Sequence, residues 1–565
     1  LSNPKLEMTM KRFIYSVTLA STMLFATSCE EKLDELLENP NAVNAQTANP
    51  DFLLNSIQLG YQGLWYGISD NGARLTRQIN QGSALYELAY TAPATNGTWS
   101  NAYAGILADI DFLTPLAVNA NLQRHLGIAK TIKAMVLFDL VDTFGDVPYS
   151  EALDAANFNP NVDDDAAIYT AAAALLDEAK AHFTANSAGT PNDYFYNRNY
   201  TKWVRLVNTL KLRYFLTKRL VDPAGSRSGI NALIAENNML KAGATLAASD
   251  DFVFLFGTTS ADPDSRHPKF AGQYTSGGGD YQSTFFMHHL TVEKGFDDPR
   301  VRYYMYRQSL TNTTNVDEQE CISQIAPPHY LVGGFPYCNP AGNRGYWGRD
   351  HLDPDGIPPD GLKRTAYGVY PAGGRFDNNS ASPVNNPQLG GRGAGVHPIM
   401  LAAYVDFMLA EAALTLGTTG NAKDYLLSGI RKQMNYVRLF SLTTAEASTI
   451  TAFDPADQFN RSVENYISFV GNRYDAAANA DSKLNVIATE YWLALYGNGK
   501  ESFNLYRRTG KPAKMQPALE ENPGPFIRSF LYPNNYVVTN LNASQKSNLA
   551  QQVFWDNNPA SPWIY

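Results

Sequence analysis

Residues 122–152, LQRHLGIAKTIKAMVLFDLVDTFGDVPYSEA, pass from a helix into a turn. Leu122, Leu126, Ala129, Val136 and Leu140 recur at the spacing of one helix face, and the pattern ends at Asp142-Thr143-Phe144-Gly145-Asp146-Val147-Pro148. The same periodicity predicts a helix through Ile168, Ala172, Leu175, Ala179 and Phe183, and another through Trp203, Val207, Leu210 and Tyr214. Asp163 to Asp165 give the first of these an acidic opening turn that suits the helix dipole. The spacing returns in Tyr404, Val405, Met408 and Ala412 and in Leu484, Ile487, Tyr491 and Leu495. Amphipathic helices joined by short turns predict a mostly α fold of stacked, tetratricopeptide-like helical pairs. No strict repeat of fixed period accompanies them, so that packing is inferred from helix pairing alone.

Residues 251–397 read differently, being rich in glycine, proline, aspartate and aromatics, as in Ser276-Gly277-Gly278-Gly279-Asp280-Tyr281, Tyr346-Trp347 and the run Asp350 to Asp377. This predicts a large irregular region of loops and short strands, the usual seat of binding on a rigid scaffold. Across all 565 residues, 44% are hydrophobic, 12% aromatic and only 18% charged, which excludes a disordered chain. The formal charge is −9 and no lysine- or arginine-rich run occurs, so no nucleic-acid partner is expected.

The first residues predict a destination. Met10-Lys11-Arg12 precedes an uncharged, mostly apolar run, Phe13 to Ala26, that ends in Ala26-Thr27-Ser28-Cys29. Fourteen residues at ~1.5 Å each reach about 21 Å, short of a ~30 Å membrane core, which makes this a signal-peptide core. Small residues ending at a cysteine resemble a lipobox, with Cys29 the lipidated new N-terminus. Residues 1–28 therefore read as signal peptide with an upstream extension, and 29–50 as lipidated N-terminus and tether. Glu30, Glu31, Asp34 and Glu35 resemble the acidic signal that exports some lipoproteins to the cell exterior. Cys321 and Cys338 remain as an even pair; a disulfide between them, worth ~3 kcal/mol by loop entropy, and two buried thiols are both open.

Several strings together resemble one family. Asp142 to Ala152 (DTFGDVPYSEA), Phe407 to Ala413 (FMLAEAA), Thr489 to Pro512 (TEYWLALYGNGKESFNLYRRTGKP), and Arg528 to Pro533 (RSFLYP) with Phe554-Trp555-Asp556 are similar, in order, to the signatures of SusD/RagB-like outer-membrane lipoproteins. Thr365 to Asp377 (TAYGVYPAGGRFD) looks like one branch of that family. The resemblance implies a single SusD-like body, with 51–250 an N-terminal helical part, 251–397 the loop-rich, ligand-binding region and 398–565 the C-terminal helical part. It implies a lid on a SusC-like TonB-dependent transporter, lipid-anchored at the outer membrane and facing the exterior. It also implies a binding protein and not an enzyme, capturing oligosaccharides or, in a RagB-like branch, peptides. A lid with negligible ligand affinity of its own and a lipid-anchored hydrolase are the remaining readings.

The residues give enzyme chemistry little support. No HExxH, GxSxG or CxxC occurs, so no catalytic residue is assigned. Gly499-Lys500-Glu501-Ser502 lacks the glycine of a phosphate loop at Ala494 and reads as a helix C-cap. His288-His289 with Glu293 has metal-ligand spacing but no further ligand, and no metal or other cofactor is assigned. Asp353-x-Asp355-Gly356 resembles half a calcium loop; His351 and Leu362 hold the wrong end positions, so a turn is the better account and a structural Ca²⁺ is left open. Sugars need aromatic faces for their apolar C–H patches and fixed polar groups for their hydroxyls. The candidates are Trp65, Tyr66, Arg74 and Tyr86, with Tyr274, Tyr281, Arg344, Tyr346 and Trp347 in the middle region, where Tyr274, Tyr281 and Trp347 are expected to form the platform.

Overall fold

In the computed structural model the periodic stretch forms a helix over Gln123–Phe144 that is buried almost all round, from Leu126 and Ile128 through Phe138 to Phe144. A helix apolar on every side belongs inside a protein, with other helices around it. The structure describes residues 48–339, 341–355 and 363–558, together with Met8. Cys29, the signal-peptide run and the acidic residues after it lie outside these, as do Gly356 and Leu362 of the calcium-like segment. Residues 53–565 make one unit, and residues 1–52 a separate one, of which Met8 and 48–52 are described.

The long helices before residue 250 are α1 (Pro50–Leu75), α2 (Ala108–Asn119), α3 (Gln123–Phe144), α4 (Asp165–Thr184), α5 (Tyr200–Thr217) and α6 (Pro223–Glu236). After residue 400 come α7 (Ala402–Leu416), α8 (Ala422–Ser441), α9 (Ala456–Ala476), α10 (Ala480–Ala494) and α11 (Gly499–Thr509). Successive helices pack as hairpins: α3 on α4, α4 on α5, α5 on α6, and α7 on α8. Helix α5 also meets α7, joining the two helical halves. Side-chain oxygens of Asp164, Asn199, Asp222, Asn421, Asn479 and Asn498 accept from first-turn N–H groups of α4, α5, α6, α8, α10 and α11, each cap contributing about 1 kcal/mol.

Strands are few and short. β1 (Phe252–Leu255) pairs antiparallel with β4 (Val396–Met400), in register Phe254 opposite His397, so the two ends of the loop-rich region are tied together. β2 (Met305–Tyr306) pairs with β3 (Ala366–Tyr367) inside it. Cys321 and Cys338 are joined by a disulfide.

The signature strings meet in one buried ion network. Asp139 of α3 pairs with Lys500 of α11, which corrects the reading of the Gly499-Lys500 string: Asn498 starts a helix there, and the lysine is fully engaged. Asp142 accepts from the Tyr169 hydroxyl at 3.0 Å, the Trp555 indole at 3.0 Å and the Asn504 amide at 2.8 Å, while its carbonyl accepts from Arg507. Glu411 of α7 takes Arg219 at 2.8 Å and Arg508 at 2.8 and 2.9 Å. Burial pushes the Glu411 carboxyl up, but these guanidiniums hold it below the ordinary range. Arg528 grips Asp556 at 2.7 Å. Helices α1 and α11 approach so closely that a Cβ on Gly72 would lie 2.2 Å from the Gly499 carbonyl oxygen, leaving room for glycine alone.

Removing Glu411 strands two buried guanidiniums. Breaking one side of a buried ion pair costs about 3–5 kcal/mol. Glu411→Ala is therefore expected to lower unfolding stability by about that amount in urea titration, while Arg461→Ala, in an exposed pair, changes it by less than about 1 kcal/mol.

Candidate functional site

Most aromatics expected to meet ligand are enclosed. Trp65, Tyr86, Tyr274, Tyr346 and Trp347 are buried, so the platform expected at Tyr274, Tyr281 and Trp347 is not an exposed surface. Tyr274 stacks on Phe270 and donates to the Tyr367 carbonyl at 2.6 Å. Tyr281 is half-buried between the guanidiniums of Arg349 and Arg364, 4.4 and 4.0 Å from its ring centre. Tyr346 lies between Arg307 and Arg344, and Arg344 is spent on Asp297 at 2.8 and 2.6 Å. The reason is backbone packing. A Cβ on Gly348 would stand 2.0 Å from the Gln282 carbonyl oxygen, so glycine here brings chains together and folds the neighbouring rings inward.

Tyr66 and Arg74 share a different place. Arg74 and Lys269 are interleaved with Asp70 and Asp280, and Tyr367 donates to Asp280 at 3.0 Å. Tyr66 stacks on His397 at 5.2 Å, and burial drives both His397 and His267 well below their ordinary pKa, His267 to about 3. The adjoining cavity is about 50 Å³, room for a water or two and not for a pyranose. This is a structural quartet.

An open cleft of about 530 Å³ lies elsewhere, between residues 329–335 and 517–528, a size typical of ligand sites. His329, Phe335 and Pro517 line it, with Glu520 and Glu521 exposed at its mouth and Pro523, Pro525 and Phe526 along one side. Val332, 91% exposed, also lines it, and its neighbour Leu331 is 63% exposed.

The cleft is built by pinned loops. The Cys321–Cys338 disulfide closes the loop bearing His329 and Phe335. The His329 ring meets the Ala518 carbonyl at 2.9 Å, and the Tyr330 hydroxyl donates to the Pro517 carbonyl at 2.8 Å. Asp350 ties both segments, accepting from the Cys338 N–H at 3.0 Å and the Gln516 amide at 2.8 Å. Tyr86, expected to touch ligand, instead supports the cleft from beneath: its N–H donates to the Pro523 carbonyl, its ring meets Phe526 edge-on, and its hydroxyl meets His351 at 3.0 Å. The 517–526 wall was missed because the helical reading of 398–565 passed over it. Its signal was the run Pro517 to Phe526, PALEENPGPF, whose prolines and glycine break any helix.

The motifs weighed for metals have structural partners. His289 packs edge-on against Trp492, burial lowering its pKa to about 3, and Glu293 pairs with Arg473. Asp353 accepts from the Asp355 N–H at 2.9 Å, a local turn. Among the described residues, Asp146, Asp164 and Asp165 bring three carboxylates within 4.8 Å; Asp146 already accepts from the Asp165 N–H, and Asp165 from the Phe554 N–H.

Two family models match the chain, "Starch-binding associating with outer membrane" over residues 40–324 and "Susd and RagB outer membrane lipoprotein" over 390–556. Among solved structures, a SusD homologue from Bacteroides fragilis superposes with a TM-score of 0.63 at 19% identity, covering 91% of this chain and 100% of that one. A SusD/RagB family protein from Bacteroides thetaiotaomicron gives 0.63 at 16% identity, again covering 91% and 100%. A chitin-binding SusD homologue from Flavobacterium johnsoniae gives 0.59 at 19%, covering 89% and 100%. A comparison with curated proteins finds no match. No described helix is long and apolar enough to cross a membrane.

The pins make the cleft's frame sensitive to pH. Burial raises the Asp350 carboxyl to about 7, above an unfolded value of ~3.9. The folded state holds that proton more tightly, so the stabilisation is full below pH ~4 and is lost as pH rises towards 7. Thermal midpoints are expected to fall between pH 5 and pH 8, with a smaller fall in Asp350→Asn.

Proposed function

Since this chain belongs to the SusD/RagB family of outer-membrane lipoproteins, we propose that it captures oligosaccharides at the cell surface, in the cleft between residues 329–335 and 517–528, and passes them to a SusC-like TonB-dependent barrel. Cys29 carries the lipid in this reading, holding the protein at the outer face of the outer membrane, where more than one acyl chain makes anchoring stable.

The loop-built cleft is the observation that carries the proposal. Its apolar side, with Phe335 and the His329 ring, suits the C–H faces of a sugar, and Glu520 and Glu521 supply acceptors for hydroxyls at the mouth. The exposed Leu331 and Val332 beside it give the barrel an apolar contact to cover. Binding without chemistry suits the site as well. Asp350 and Asp353, whose carboxyls burial raises, are spent on backbone and amide groups in the frame and do not line this cleft.

Calorimetry of the purified protein against starch, chitin, cellulose and xylan oligosaccharides and a set of short peptides tests this. At least one oligosaccharide is expected to bind without turnover, and Phe335→Ala combined with Glu520→Gln to weaken it tenfold or more. Binding of peptides alone, hydrolysis by the isolated protein, or affinity unaltered by the double variant would each reject the reading.

A further inference from the structure

A second cleft, of about 510 Å³, lies between residues 296–302 and 453–465 and shares no lining residue with the first. Two phenylalanines stand at it half in solvent, Phe296 and Phe453, each 40% exposed. Each ring has a partner that holds it. Phe469 meets Phe296 edge-on at 5.0 Å, and the Arg302 guanidinium lies 4.9 Å from the centre of the Phe453 ring. Arg302 is fixed in turn by donating to the Asp377 carbonyl at 3.1 Å.

The polar lining is of a kind that reads hydroxyls. Gln458, Ser462 and Asn465 project from one face of α9, four and three residues apart, and are exposed. The carboxylates at the cleft already have their cations. Asp297 is paired with Arg344, Asp298 with Arg300 at 2.7 Å, and Asp454 accepts from Tyr303 at 2.8 Å and faces Arg438 at 3.5 Å. What remains for a ligand is two aromatic faces, amides, a hydroxyl and one guanidinium. Such a set has no unpaired carboxylate to attract a cation, and it offers aromatic faces that a free inorganic anion would not use. It fits an amphipathic, polyhydroxylated molecule.

We infer that this cleft is a second carbohydrate subsite, taking a short run of flat, equatorially linked pyranose units between Phe296 and Phe453. Its place follows from these residues, while its ligand class rests on the glycan reading of the first cleft. A second weak subsite on one body raises the local concentration of a long polysaccharide at the first cleft without tightening either contact.

Saturation-transfer NMR with cellotriose, chitotriose and the tripeptide Ala-Phe-Ala tests it, on the unaltered protein, Phe335→Ala, and Phe335→Ala combined with Phe296→Ala and Phe453→Ala. Phe296 and Phe453 are partly exposed, and a thermal midpoint equal to that of Phe335→Ala verifies that the triple variant is folded. At least one trisaccharide is expected to keep its signal in Phe335→Ala, through the second cleft, and to bind tenfold or more weakly there once Phe296 and Phe453 are lost. Loss of all trisaccharide signal in Phe335→Ala overturns the second subsite and leaves the first. Signal sensitive to Phe296 and Phe453 but not to Phe335 upholds the second cleft and rejects the first. Transfer to the tripeptide alone, or to none of the three probes, overturns the inference.

Discussion

Buried charge that must find its partner sets the architecture. Asp139, Asp142 and Glu411 are enclosed by helices, and each is tolerable there only because a cation or donor from a distant part of the chain arrives with the right geometry. Lys500, Asn504, Arg507 and Arg508 all come from α11, so this one helix addresses α3 and α7 together. The glycine contact between α1 and α11 lets that helix sit deep enough to do so. Arg528 and Asp556 then fasten the tail against the same helix, with Arg507 donating to the Arg528 carbonyl at 2.6 Å.

This explains which parts of the fold were legible from the sequence. Helices announce themselves by local periodicity, and α3, α4, α5, α7 and α10 fall where the apolar spacing puts them. The strings that hold Asp142, Glu411, Lys500 to Arg508, Arg528 and Asp556 meet in the ion network, so those parts of the resemblance located the scaffold. Their pairing could not be read, since spacing along the chain does not say that Glu411 faces Arg219 and Arg508. Lys500 looked incidental for the same reason.

The site was harder, and the aromatic surplus shows why. A ring amid glycines reads as exposed if glycine means a loose loop. At Gly348 it means two backbones in contact, and Trp347 beside it is sealed. The residues that do open to solvent at the first cleft, Phe335, Glu520 and Glu521, are brought together from segments nearly two hundred residues apart by the disulfide, Asp350 and Gln516. The low charge of the chain reflects its packed helical body, while the two clefts set aromatic side chains beside polar and charged ones.

The ion network serves as scaffold, and the proposed binding falls to the pinned loops. Hydrogen–deuterium exchange, with and without the tightest oligosaccharide found by calorimetry, separates the two most directly. Slower exchange is predicted within residues 329–335 and 517–528, with α3 and α11 unchanged. Protection centred on α3 and α11, with those two segments unaltered by ligand, would contradict the account.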